Sequence, residues 1–215
     1  MNMAMMSKKI YNRLLYKMFD KMPYDRPFVF GVGLSKTATT TLASALTILG
    51  YDVRDNPPIA RVVNGDIIMD WPWWVRDCNA VTDLSSAALT PQLVQHFPNA
   101  KFIYTTRDMD RWLKSCHSHF SPELHDARIR QNNEWMNELS AAVYGNSVFQ
   151  DPEPFRQAYL NHDKMIRETV PADRLLVVDF TKNPGWDNLC SFLDKPIPAQ
   201  GFPHSNVGTY IRKDG

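Results

Sequence analysis

The residues Gly31 to Thr41, GVGLSKTATTT, concentrate groups suited to holding an anion. A strand-like run, FVFGVGL, turns through Gly31 and Gly33 into Ser35, Lys36, Thr37, Ala38, Thr39, Thr40 and Thr41. Backbone N–H groups at such a helix start converge on negative charge, Lys36 adds a mobile cation, and the threonines add hydroxyl donors. A second set follows Arg107, with Ser115 eight residues later, about two helical turns on. A planar guanidinium fork and one hydroxyl suit a phosphate distinct from the first. Ordinary structure offers its own readings: a Gly-containing turn with a Thr-rich cap for the first set, a salt bridge or helix cap for an Arg-Asp pair.

These groups need elements to carry them. FVFGVGL, NAVTDL near residue 80, AKFIYTTRD and LLVVDF read as short buried strands. SKTATTTLASALTILGY, ending at Gly50, TPQLVQHFP, MDRWLKSCHSHF, a polar stretch over residues 123–144, FRQAYLNHDKMIRETV and WDNLCSFLD read as helices. Strands alternating with helices predict an α/β fold: three layers, with a central, mainly parallel sheet and ligands beyond the carboxyl ends of its strands. Residues 54–76 and 117–155 carry no recognisable pattern.

At 215 residues the chain suits one domain. The divisions expected are an amphipathic helical extension over 1–27, an α/β domain over 28–206 and a tail over 207–215. A hydrophobic fraction of 44%, a charged fraction of 22% and a net charge of +1 exclude disordered and nucleic-acid-coating classes. Cys78, Cys116 and Cys190 form no close pair and no metal-ligand spacing, so reduced thiols in the cytoplasm are expected. No apolar run reaches the ~18 residues of a membrane span. Ile10, Leu14, Leu15 and Met18 lie at helical spacing among lysines and Arg13, which predicts an amphipathic helix packed on the domain, with weak contact to a membrane surface or partner as the alternative.

The first loop departs from the Walker A pattern, because Ser35 stands where Gly precedes the lysine. SKTATTT instead resembles the 5′-phosphosulfate loop of sulfotransferases that use 3′-phosphoadenosine 5′-phosphosulfate (PAPS), a compact P-loop-like family. Lys36, Thr37, Thr39 and Thr40 fall on that loop's positions and Ala38 replaces its usual Gly. VTDLSSAAL, KFIYTTRD, NHDKMIRETVPADRLLVVDF, GWDNLCSFLDKPIP and FPHSN extend the resemblance over residues 28 to about 206. It implies a sulfotransferase passing a sulfuryl group from PAPS to a hydroxyl on a small-molecule acceptor, leaving PAP, with no metal required. Arg107 and Ser115 would hold the 3′-phosphate and Lys36 would neutralise the leaving phosphate.

The resemblance also bears on the base. In cytosolic sulfotransferases a histidine follows a comparable strand, and VTDLSS puts Asp83 there, with a helix cap or a partner for Thr37 or Lys36 as its structural alternative. Asp52 and Asp55 are further carboxylate candidates. His96, His117, His119 and His125 have ordinary surface or packing explanations. Trp71 to Trp74 can wall an apolar acceptor or cover the core, Trp112 reads as packing, and Arg212 and Lys213 can close over the donor or lie in solvent. Two rivals remain: a P-loop kinase, for which Asp108 would be the metal-binding acid, and a nucleotide-binding regulatory protein without turnover.

Overall fold

β1 (Val29–Gly31) is the centre around which the chain is built. Its neighbours alternate sharply, with Phe28, Phe30 and Val32 in one apolar cluster and Val29 in another, the period-2 signature of a strand covered on both faces. The computed structural model describes residues 27–70 and 77–204. β2 (Val53–Asp55), β5 (Ala80–Thr82), β6 (Lys101–Thr105) and β7 (Leu175–Val178) join β1 in a five-stranded sheet of order β2-β5-β1-β6-β7. Every pairing is parallel. A separate antiparallel hairpin pairs β3 (Ala60–Val63) with β4 (Asp66–Met69).

Helices cover both faces. α1 (Thr39–Ile48) and α8 (Asp187–Leu193) bring Leu42, Leu46, Leu189 and Leu193 against Val29, Ile103 and Val178. On the other face lie α2 (Leu84–Ala88), α3 (Thr90–His96), α4 (Met109–His119), α5 (Pro122–Arg130), α6 (Glu134–Tyr144) and α7 (Pro152–Thr169). There Trp112, Phe120, Tyr144 and Phe155 pack beneath Phe30, Phe102 and Tyr104. The result is a three-layer, P-loop-like α/β fold. The strands' carboxyl ends deliver the residues after β1, β5 and β6 to one edge.

Several elements exceed what the pattern foretold. β2 is only three residues long, and the hairpin lies within residues 54–76, which looked featureless. Its turn is Asn64-Gly65, both at positive φ of 52° and 83°, the mirror-image turn that matches strand twist. The polar stretch 123–144 is two helices, broken where Asn132 takes a φ of 55°. The expected N-terminal helix, Trp71 to Trp74, Arg212 and Lys213 lie outside the described residues.

Candidate active site

Gly33 begins the loop because no side chain fits there: a Cβ would collide with the Thr105 hydroxyl and meet Thr37 Oγ1 at 2.6 Å. Those hydroxyls pair at 2.7 Å. Thr37 Oγ1 donates to the Leu34 carbonyl at 2.7 Å, so Thr105 is the donor within the pair. Along the loop, Ser35, Thr37, Thr39 and Thr41 are buried while Lys36, Ala38 and Thr40 are half-buried. Lys36 and Ala38 both have left-handed backbones, φ 73° and 72°. Ala38 caps α1 with no side-chain hydrogen bond, and the first turn of α1 holds no acidic residue. A helix start so left presents its amides and positive dipole end outward. Burial lowers the Lys36 pKa, which Asp83 opposes and Arg107 reinforces.

The loop is held from beneath by one helical face. The Ser35 amide donates to Tyr144 Oη at 3.2 Å, and Trp112 Nε1 donates to the Ser35 carbonyl at 2.9 Å. His162 Nε2 lies 2.7 Å from the Val32 carbonyl. A carbonyl only accepts, so Nε2 carries the proton. Burial pushes that imidazole down to about 4, keeping it neutral. Trp112 is therefore packing and an anchor of the loop at once.

Arg107 leaves the end of β6 and donates from Nη1 to the Lys36 carbonyl at 2.9 Å. Its own peptide is gripped by Tyr159 Oη, which accepts from the amide at 3.1 Å and donates to the carbonyl at 2.8 Å. Arg107 Nε is buried without a partner, an orphan donor of the kind an anion satisfies. Asp108 caps α4, accepting from the Arg111 amide at 3.2 Å. Ser115, half-buried on α4, makes no hydrogen bond to Arg107.

Asp83 follows β5 at φ 76° and ψ −163°, a region essentially reserved for glycine and a sign of stored strain. Its carboxylate accepts from Ser35 Oγ at 2.7 Å, Thr39 Oγ1 at 2.9 Å and the Leu84 amide at 2.7 Å. The hydroxyls of Ser35 and Thr39 are thereby committed inside the site. Asp55 ends β2 beside it, because Asp55 registers with Thr82 and accepts from Thr82 Oγ1 at 2.6 Å. Asp55 keeps contact with solvent. Crowding by protein and then the Asp83 charge raise its carboxyl above the ordinary value, which the Thr82 bond partly offsets.

Asp52 precedes β2, at the sheet's other end, 3.7 Å from Arg54. His96 closes α3, His117 packs on Phe149 and His125 lies 3.3 Å from Asp126. His119 approaches Arg128 at 3.3 Å. Sequence reasoning missed Tyr144, Tyr159, His162 and Arg128. Only tertiary packing brings Tyr144 to Ser35, His162 to Val32, Tyr159 to Arg107 and Arg128 to His119; none has a local signal.

With this geometry, comparison with known proteins is specific: the sulfotransferase domain family matches residues 28–211. The chain belongs to that family. This sulfotransferase chain is also similar to Ava biosynthesis cluster protein M of Aspergillus versicolor, at 27% identity over 149 residues. The match takes in 63% of the chain and 56% of that protein, so the chain spans little more than half the relative's length. Within the sulfotransferase loop, Ala38 sits at a left-handed angle that the family's usual Gly would adopt without strain.

Proposed function

We propose that this sulfotransferase uses PAPS and delivers the sulfuryl group to a hydroxyl of a small-molecule acceptor. The observation that carries the reading is the joined pair of anion sites: the uncapped start of α1, and Arg107 with a buried, unpartnered Nε and its Nη1 on the Lys36 carbonyl. The amides of Lys36, Ala38, Thr39 and Thr40 would hold the 5′ end of the donor. Arg107 and Ser115 would hold the 3′-phosphate. Thr37, Ser35 and Thr41 shape the loop from its buried side, since the Thr37 and Ser35 hydroxyls are already engaged. Bound PAPS supplies an activated sulfur whose bond to the 5′-phosphate breaks as the acceptor oxygen bonds to sulfur, leaving PAP.

Lys36 neutralises charge gathering on the leaving phosphate, and loss of such a donor typically costs ~10² to 10³ in rate. Protein cations and amides supply that stabilisation, so the reading calls for no metal. Asp83 and Asp55 share the work on the acceptor proton. Three donors on Asp83 favour it as organiser of the loop, and the raised carboxyl of Asp55 favours Asp55 as proton acceptor. The biosynthesis-cluster name of the relative is in keeping with a small-molecule acceptor. Three buried free cysteines fit a reducing cytoplasm, and no helix among the described residues is long and apolar enough to cross a membrane.

Calorimetric titration of PAP, against ATP with magnesium, tests the assignment on wild type and Arg107→Ala. Metal-independent PAP binding that Arg107→Ala weakens at least ~10-fold is the expected result. Preference for ATP with magnesium would favour the kinase. PAP binding without transfer to any hydroxyl acceptor would favour the regulatory protein.

A further inference from the structure

Arg128, on α5, is a cation without an anion. Its side chain is 5% exposed, and among the described residues no carboxylate lies within ion-pair distance of it. Nη1 donates to Asn137 Oδ1 at 3.3 Å, and Asn137 is itself oriented by donating from Nδ2 to the His125 carbonyl at 3.1 Å. Nη2 faces His119 Nε2 at 3.3 Å, and the Phe120 ring lies 5.8 Å from the guanidinium carbon. Every group in direct contact with it is neutral: an amide, an aromatic face and an imidazole that burial, with help from Lys36 and Arg128, pushes down to about 3. A guanidinium always stays charged, so His119 must accept from it. Enclosing a charge this way is unfavourable unless something pairs with it.

The position of Arg128 says what the missing partner faces. The Phe120 ring it faces meets the Tyr144 ring edge-on at 5.0 Å, and Tyr144 receives the Ser35 amide. Ser35 in turn donates its hydroxyl to Asp83 at 2.7 Å. Burial lowers the Arg128 pKa, and Tyr144 and Asp83 oppose that. In the sheet, β5, which delivers Asp83, flanks β1 on one side, and β6, which delivers Arg107, flanks it on the other. Arg128 thus approaches the loop at Ser35, on the Asp83 side.

We propose that Arg128 binds a carboxylate of the acceptor, so that the sulfotransferase prefers hydroxy acids over neutral alcohols and phenols. The proposal rests on the sulfuryl-transfer reading above for the word acceptor, and on the unpaired buried guanidinium for its chemistry. Asn137 and His119 are positioning residues that aim the fork. An incoming carboxylate meets a preorganised, already desolvated donor, the condition under which charge-assisted hydrogen bonds count most.

The test compares 4-hydroxyphenylacetate with 4-hydroxyphenylacetamide, and 3-hydroxybutyrate with 3-hydroxybutyramide, by calorimetry on PAP-saturated wild type, Arg128→Met and Arg128→Lys. In at least one pair the acid should bind wild type ~10-fold or more tightly than its amide. That preference should vanish in Arg128→Met and survive in part in Arg128→Lys, with PAP affinity unchanged in both. Unliganded Arg128→Met should melt no lower than wild type, because removing an unpaired buried charge relieves the fold. Acids bound no better than amides by wild type, or a preference that outlives Arg128→Met, overturns the proposal. So does a loss of PAP affinity in Arg128→Met, which would move Arg128 to a phosphate of the donor. If wild type fails to bind PAP, the donor reading falls, while the acid and amide pairs on PAP-free protein still decide the role of Arg128.

Discussion

Asp55 and Lys36 are pushed in opposite directions by the protein around them, and each leaves a mark on pH dependence. The Asp55 carboxyl, though solvent-exposed at the sheet edge, is raised by the protein crowding it and by Asp83, so a base at this position fails as pH falls through a value above the ordinary ~4. Between the ordinary and raised values the folded state binds the extra proton, so Asp55 makes stability fall as pH rises through that window. Asp55→Asn should lower kcat by ~10² or more, remove the acid limb of the rate profile and leave the neutral-pH melting temperature equal or higher. Steady-state rates and melts across pH check both. Lys36 titrates below its ordinary value, chiefly through burial, so PAP binding should weaken as pH rises through that lowered value. In Lys36→Arg the weakening should move to higher pH, and calorimetry at stepped pH reads the shift.

At the scale of the element, the start of α1 carries backbone tension. Ala38 holds φ 72° and ψ 32°, and an L-residue in that region costs about 1–2 kcal/mol. Ala38→Gly should therefore stabilise the protein, by about 1 kcal/mol after the entropy glycine loses on folding, with PAP affinity kept or improved. Denaturant midpoints and calorimetry on one preparation measure both. Gly33→Ala is the opposite case. Its methyl has no room beside Thr105 and Thr37, so about 1–3 kcal/mol of stability should go, and PAP binding with it. Element by element, the legibility of the sequence was uneven. Phe28, Phe30, Phe102 and Tyr104 announce strands by alternation, and Gly33 with Lys36 announces the loop. β2 did not show because it is an edge strand whose Arg54 and Asp55 are exposed, so it lacks the apolar run that marks β1 and β5. The β3–β4 hairpin did carry a signal in Asn64-Gly65, the turn between its two strands. The hydroxyl bonds of Ser35 and Thr39 to Asp83 depend on β5 lying next to β1, and no local pattern states strand order. The proximity of Asp55 to Asp83 follows from that same order.

Across the described residues, two apolar layers sandwich one parallel sheet, and the proposed donor site sits where the segments after β1, β5 and β6 meet at its edge. Occupying that site should couple to global unfolding, because a ligand that binds only the folded state stabilises it by mass action. At one hundred times its dissociation constant PAP should add about 2.7 kcal/mol. For a chain of this size that raises the melting temperature by roughly 5–10 °C. Thermal scans without metal should show that rise in wild type and lose most of it in Arg107→Ala. Phe30 lies fully buried in the central strand, and Phe30→Ala should cost about 3–5 kcal/mol, enough to unfold a marginal domain at physiological temperature. Fold class and layer count were readable from the alternation of strands and helices. The helical wall that grips the loop through Tyr144 and Trp112, and Arg107 through Tyr159, was not, because its contacts join residues far apart in the chain.

The indole of Trp112 has a further use. It is fully enclosed and its N–H ends on the Ser35 carbonyl, one residue before Lys36. A chromophore fastened to the backbone of the anion loop is a native optical gauge of that loop. Its emission is set by the local field, so an anion bound beside Lys36, as proposed above, would alter it. The chain has six tryptophans, so the difference spectrum between wild type and Trp112→Phe isolates this one. Stopped-flow emission could then time the loop's encounter with donor, separately from chemistry, with no label attached.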